Sequence, residues 1–174
     1  MEEVVVTGMG CVSALGNTPE ILWENLLAGK SGVTTITHFD TSAYEVHFAA
    51  EVKEFDASPY FSDRDQKRYS RNIQYAVSAA SDAVKNSGLN VDSLDKSRAG
   101  VILASGMGGM DVYYDTSATL ANKGPRRVSP FFIPMAITNM AAGEVSIRFG
   151  FMGPNFTTTS ACASSNHALI AAAD

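Results

Sequence analysis

The stretch FTTTSACASSNHALIAAAD, residues 156–174, sets a cysteine where a β-branched run gives way to alanine-rich sequence. A strand ending in Ser160-Ala161, then Cys162, then Ala163-Ser164-Ser165 reads as strand, sharp elbow and helix. Such an elbow exposes its central side chain at the carboxyl end of a sheet and aims helix N–H groups at it. The positive end of the helix favours thiolate over thiol, and the small neighbours admit a bulky thioester. The same N–H groups can stabilise an oxyanion on an attached acyl group. Cys162 is therefore a candidate nucleophile. On residue type alone, a packed structural thiol is the alternative.

A nucleophilic cysteine needs a base, and the three histidines are poor candidates for it. His167 follows Cys162 by five residues, about 140° around a helix at about 100° per residue, so it should not face the thiol. His38 and His47 fall in an irregular segment, residues 30–62. Cys11 and Cys162 are the only cysteines. Neither has a Cys or His at ligand spacing, which disfavours zinc, and two thiols argue against a disulfide framework.

The elements that must position this chemistry alternate strand and helix, which predicts an α/β fold with a mostly parallel sheet covered by helices. Val4–Thr7 reads as a short buried strand. A helix follows from about Pro19, with Thr18 as N-cap and Gly29 as stop. Residues 30–62 read as an excursion with a strand at Phe48–Val52. One long helix is predicted from about Gln66 to Ser87, with Tyr69, Ile73, Ala76, Val77, Ala80 and Val84 on one face. Ala99–Ala104 is a continuous apolar run, typical of a strand covered on both sides. Helices are predicted at about 111–122 and from Pro134 to Phe149, the latter capped by Gly150. A last strand, Asn155–Ser160, leads to the helix that begins near Ala163.

Composition bounds the partners. The 174 residues are 45% hydrophobic and 18% charged, ordinary for one globular domain. The formal charge of −5 disfavours nucleic acid as the main partner. No apolar run approaches the ~18 residues of a membrane span. The start, MEEVVVTG, is acidic where a secretory signal would be basic, so a soluble, cytoplasmic protein is expected, an organellar stroma or matrix being compatible.

Two glycine-rich turns and one basic cluster remain. Gly8-Met9-Gly10-Cys11-Val12-Ser13 invites a dinucleotide-binding reading, and with it an oxidoreductase. Its third position is Ser13, however, and no second strand ends in an acid, so a tight turn without phosphate is the better reading. Cys11 then serves as a small buried hydrophobe. "GMGGM", residues 106–110, lacks the Lys-Ser/Thr of a P-loop, and reads as a site where backbone or ligand approaches closely, with Met107 at the lip of a cavity. Arg64, Lys67 and Arg68 make one basic helical face in an acidic protein, and Arg126-Arg127 form a second basic pair. A solvated face and a dock for an acidic partner are both open. Cations at a helix N-terminus oppose the macrodipole, so helix stability would not account for them.

The stretches VVVTGMGCVSALGN, LLAGKSGV, HFDTSAY, SGMGGM, GPRRVSPFFIP, NMAAG and TTTSACASS run through nearly the whole chain. Together they resemble the amino-terminal part of the β-ketoacyl-[acyl-carrier-protein] synthases of the thiolase superfamily. HFDTSAY and GPRRVSPFFIP favour the type II members. The resemblance implies a thiolase-like fold, of which residues 1–174 form a truncated amino-terminal domain. It implies that Cys162 takes an acyl chain from acyl carrier protein, with its own N–H as one oxyanion donor. Met107 matches a residue gating the acyl tunnel, and Phe132 a tunnel-lining position near a homodimer interface. Arg64, Lys67, Arg68, Arg126 and Arg127 lie at or near positions that meet the acidic carrier protein. No cofactor is implied beyond the phosphopantetheine arm that carries the substrates. Family members are roughly twice as long, and the catalytic histidines, lysine and second oxyanion donor belong to the other half. The 174 residues alone are thus expected to be inactive in condensation. A non-catalytic chain-length-factor-like subunit is the rival reading, but such subunits typically replace the cysteine that is present here.

Overall fold

A computed structural model describes residues 3–174. Helix α1 spans Pro19–Leu27. The Thr18 hydroxyl accepts from Ile21 N at 3.3 Å, proline occupies the first turn, and Gly29 at φ 65° follows the last, so both ends sit where expected. Strands β1 (Thr34–Thr35) and β2 (Phe48–Ala49) form a short antiparallel pair in the excursion. Then come α2 (Asp63–Arg68), α3 (Arg71–Asn86), β3 (Val101–Ala104), α4 (Met110–Lys123), α5 (Phe132–Ala136), α6 (Met140–Phe149), β4 (Asn155–Thr158) and α7 (Ser164–Ala173).

β3 and β4 pair in parallel, from Val101 opposite Asn155 to Ala104 opposite Thr158. Side chains alternate faces along a strand. The Asn155 side-chain N–H donates to Ala142 O of α6 at 3.0 Å, whereas the Thr158 hydroxyl donates to Ser164 O of α7 at 2.8 Å. Positions of opposite parity thus hold α6 and α7 against opposite faces of the pair. The core lies between α3 and α6. Ile73 and Val77 are fully buried there, against Ala141, Ala142 and Val145, with Val101, Ala57 and Phe61 closing the cluster. Burial of a side chain such as Val77 contributes roughly 1.5–3 kcal/mol.

Four elements differ from expectation. Val4–Thr7 forms no strand: no described residue pairs with it, and Val6 is 81% exposed. The Phe48–Val52 strand shortens to Phe48–Ala49.

The long helix from Gln66 to Ser87 is two helices, α2 and α3, broken at Tyr69 and Ser70, whose ψ angles are 138° and 158°. The buried Gln74 side-chain amide donates to Gln66 O and Tyr69 O, both at 2.8 Å, supplying the donors that a continuing helix would have given the end of α2. Ser62 starts α2, its hydroxyl accepting from Asp65 N. Lys67 and Arg68 accordingly lie in the last turn of α2, where the macrodipole favours them, and not at a helix N-terminus.

The helix expected over Pro134–Phe149 is also two, α5 and α6, parted at Ile137 with ψ 147°. The Ala136 carbonyl that would extend the ladder instead accepts from Gly109 N at 3.0 Å. Gly150, at φ 70°, closes α6 as expected. Among the described residues, no helix is long and apolar enough to cross a membrane.

Candidate active site

Cys162 sits in a 3₁₀ turn, Ala161–Ala163, between the carboxyl end of β4 and the start of α7. The thiol is free and exposed. The preceding residue, Ala161, has φ 49°, a left-handed backbone that non-glycine residues adopt only at a cost of about 1–3 kcal/mol. One buried hydroxyl holds that bend. Ser164 Oγ accepts from Ser160 N at 2.8 Å and donates to Ala161 O at 2.7 Å. The turn's other hydrogen bonds run from Ala163 N to Ser160 O and from Ser164 N to Ala161 O. The Cys162 N–H stays outside them, at the amino end of α7, where an oxyanion would be stabilised.

His167 does not serve the thiol. Its Nδ1 lies 2.5 Å from Ser160 Oγ, a hydrogen bond whose donor is set by the imidazole tautomer. The expectation drawn from helical spacing therefore holds, and His167 has a partner that spacing did not suggest. Among the described residues, no group of three or more His, Cys, Asp or Glu is placed to hold a metal ion.

Parallel pairing puts the loops after β3 and β4 at the same edge. The first is SGMGGM. Ser105 N donates to Thr158 O at 3.3 Å, and a Cβ at Gly106 would lie 4.0 Å from Ala161 Cα, so this loop flanks the cysteine turn. Met107 stands exposed upon it. Gly108, at φ 69°, donates its N–H to Ser105 Oγ at 2.8 Å. A Cβ at Gly108 or Gly109 would overlap the carbonyl oxygens of Ala136 or Met135, so both glycines serve the close approach of this loop to α5. Phe132, at the start of α5, meets Tyr113 of α4 edge to face, with centroids 5.2 Å apart. Met107 and Phe132 thus stand on a loop and a helix that are bonded to each other.

The basic residues divide. Arg64, Lys67 and Arg68 line a pocket of about 240 Å³ with Ser129, Phe131 and Met135. The Arg68 guanidinium lies 4.4 Å from the centroid of Phe131. Arg126 and Arg127 occupy the exposed 3₁₀ turn Pro125–Arg127 and do not line that pocket.

The GMGCVS turn is a packing device. A Cβ at Gly8 or Gly10 would overlap the carbonyl oxygens of Ala83 or Ala79, so these glycines let the chain lie directly on α3. Cys11 is half-buried and not the buried hydrophobe expected, because it borders an open pocket beside Pro19, Leu22 and Trp23. Partial burial first, then the charges of Glu20 and Asp82, push its thiol up. No cradle of N–H groups for a pyrophosphate is needed to explain the turn.

Sequence reasoning missed Ser164 and Gln74. The signal for Ser164 was a small hydroxyl residue two places after the cysteine; for Gln74 it was a polar residue on the apolar face of α3.

The sequence profile of the beta-ketoacyl synthase N-terminal domain matches residues 1–174. The chain is 44% identical over 168 residues to 3-oxoacyl-[acyl-carrier-protein] synthase 2 of Staphylococcus aureus (strain COL), covering 97% of this chain and 41% of that protein. With the synthase 2 of Vibrio cholerae serotype O1 it shares 45% identity over 164 residues, 94% of this chain and 40% of that one. The chain therefore spans about two-fifths of these relatives. Among solved structures, a beta-ketoacyl synthase from Burkholderia phymatum STM815 superposes with TM-score 0.82 at 27% identity, over 99% of this chain and 43% of that one. A type II polyketide ketosynthase, solved with its acyl carrier protein, superposes at TM-score 0.80 and 21% identity, over 97% and 45% of the two chains, which speaks to the fold alone. The fold is α/β and thiolase-like, and the chain belongs to the beta-ketoacyl synthase family, whose N-terminal domain model matches its residues 1–174.

Proposed function

We propose that the whole protein is an acyltransferase of fatty-acid elongation, a 3-oxoacyl-[acyl-carrier-protein] synthase of the type II kind, and that residues 1–174 are a truncated amino-terminal domain of it. Cys162 Sγ attacks the thioester of an acyl-carrier protein. The carrier thiol leaves with the proton, and the acyl group stays on sulfur. Malonyl-carrier protein then loses carbon dioxide, and the electrons of the broken C–C bond form a carbanion that attacks the acyl-Cys162 carbonyl. The C–S bond breaks, Cys162 recovers its proton, and a 3-oxoacyl-carrier protein two carbons longer departs. The Cys162 N–H supplies one oxyanion donor. No residue of this chain is assigned the decarboxylation, so the 174 residues alone form no condensation product.

Met107 and Phe132 border the acyl group in this reading. Arg64, Lys67 and Arg68, assisted by Arg126 and Arg127, dock the acidic carrier protein, whose phosphopantetheine arm makes a separate cofactor unnecessary. The protein works as a cytoplasmic homodimer. The observation that carries the reading is the exposed Cys162 on a bent, hydrogen-bonded turn at the carboxyl edge of a parallel strand pair. The experiment is single-turnover labelling of the full-length protein with acyl-carrier protein, read by intact and peptide mass. An acyl adduct on Cys162, lost in Cys162→Ala, is expected. Labelling that persists in Cys162→Ala, or a wild type that takes no acyl group, overturns the proposal and favours a non-catalytic subunit.

A further inference from the structure

We propose that His167 is a positioning residue, which acts through Ser160 to lock the turn presenting Cys162. The inference rests on the proposed role of Cys162 as acyl acceptor. It starts from the backbone. Ala161 is one of two non-glycine residues at positive φ among the described residues, and it immediately precedes the cysteine. A strained conformation of this kind persists where its surroundings over-determine it. Here the surroundings are three hydroxyl groups and one imidazole. Ser164, 4% exposed, grips the peptide groups on both sides of Ala161, and its own carbonyl is fixed by Thr158 of β4. That clamp is made by the first residue of α7 and holds Ser160 only by its backbone.

The second clamp comes from the next turn of the same helix, α7. His167 Nδ1 lies 2.5 Å from Ser160 Oγ, which ties the residue before the bend to α7, the helix that follows the cysteine. The turn is thereby closed across Cys162 by a side-chain link as well as by the backbone. His167 is exposed and belongs to no core cluster, so burial does not explain its placement. The hydrogen bond does. Acyl transfer requires the developing oxyanion to meet its N–H donor at about 2.7–3.1 Å, and a displacement of about 1 Å can cost 10²-fold in rate. A loosened Ser160 frees Ala161 to relax from its strained φ and carries the Cys162 N–H and Sγ with it. His167 touches neither the acyl group nor the thiol in this role.

The test uses the full-length protein and its variants H167L, H167N, S160A and S160A/H167L. Acylation of Cys162 is followed in single turnovers against carrier-protein concentration, giving a maximal rate and a half-saturating concentration. H167L should lower the maximal rate tenfold or more while leaving half-saturation unchanged. H167N, whose amide reaches the place of Nδ1, should recover the rate to within threefold. Because His167 acts through Ser160, S160A should match H167L, and the double variant should be no slower than either. H167L at the wild-type rate, H167N as slow as H167L, or additive losses in the double variant each overturn the inference. A lower Tm with unchanged acylation overturns it too. An unacylated wild type overturns the proposed function itself, a result separate from an acylated wild type that is indifferent to His167.

Discussion

Replacing Gln74 by methionine tests whether one buried amide sets the position of the basic helix. Gln74 is 4% exposed on α3, and its side-chain N–H groups donate at 2.8 Å to Gln66 O and Tyr69 O at the end of α2. Methionine keeps the length and apolar stem but offers no donor. A neutral hydrogen bond contributes about 1 kcal/mol net, and a carbonyl stranded away from water costs about 1–3 kcal/mol. Both carbonyl-bearing residues line an open cavity of about 580 Å³, so water can reach them and the lower figure applies. Two bonds then give a loss of about 2 kcal/mol, concentrated where α2 docks on α3. That corresponds to about 30-fold faster local opening. Hydrogen exchange should therefore speed up about 30-fold at the Tyr69 amide, which bonds to Asp65 O, and remain unchanged at the centre of α3. In the acylation assay the half-saturating carrier concentration should rise severalfold at constant maximal rate, because α2 carries Arg64, Lys67 and Arg68. Exchange faster by less than threefold, or equal acceleration in α3, would refute the argument that Gln74 terminates α2.

Three further outcomes follow from the geometry. Reversing charge at Arg64 and Lys67 to glutamate should raise half-saturation by roughly tenfold at low salt, with the difference shrinking at high salt; a salt-independent effect speaks against a carrier dock. Burial pushes the Glu51 carboxyl up, but hydrogen bonds from the Thr37 hydroxyl and the His38 and Thr37 N–H groups outweigh it and hold the carboxyl below its usual value. Its contribution is thus present above the unfolded carboxylate pKa and lost as pH falls through the lowered one, so the Thr37 and His38 amides should lose exchange protection only in acid, and in E51Q at all pH values. Burial, then the hydrogen bond to Asp82, push Tyr60 up to about 12. The stabilisation from this proton is complete below about pH 10 and disappears as pH rises through about 12, so ultraviolet titration should show one tyrosine ionising late, and D82N should bring it down.

What could be read in advance was whatever local chemistry decides. Thr18, Pro19 and Gly29 bracket α1 through bonds made within a few residues, and Gly150 ends α6 because its own backbone is left-handed. The cysteine elbow was legible for the same reason, since small residues and a strand-to-helix switch lie within ten positions. The two helix breaks were not legible. Nothing near Tyr69 or Ile137 forbids a helix, and the interruption comes from groups brought in by tertiary structure: the Gln74 amide at one end, the Gly109 N–H at the other. The grip of Ser164 on both sides of Ala161 was hidden too. A serine after a cysteine has many possible partners until the turn is folded.

The division of labour at the site follows from area as much as from residues. A folded monomer of 18.5 kDa exposes about 8,200 Å² by the usual size scaling. This chain exposes 11777 Å². The excess of about 3,600 Å² exceeds several times the roughly 800 Å² that a standard interface covers on one partner. Much of it is apolar: Val4–Val6, Trp23 and Leu27 on α1, Ile147 on α6, and Leu169 and Ile170 on α7, the helix that follows the cysteine turn. Leu169 and Ile170 follow His167 on the helix that starts at the cysteine turn. Apolar surface of this extent is characteristic of faces that meet another protein surface. Ser164 and His167, both on α7, hold the turn that presents Cys162, so a contact that covered Leu169 and Ile170 would bear on the same helix.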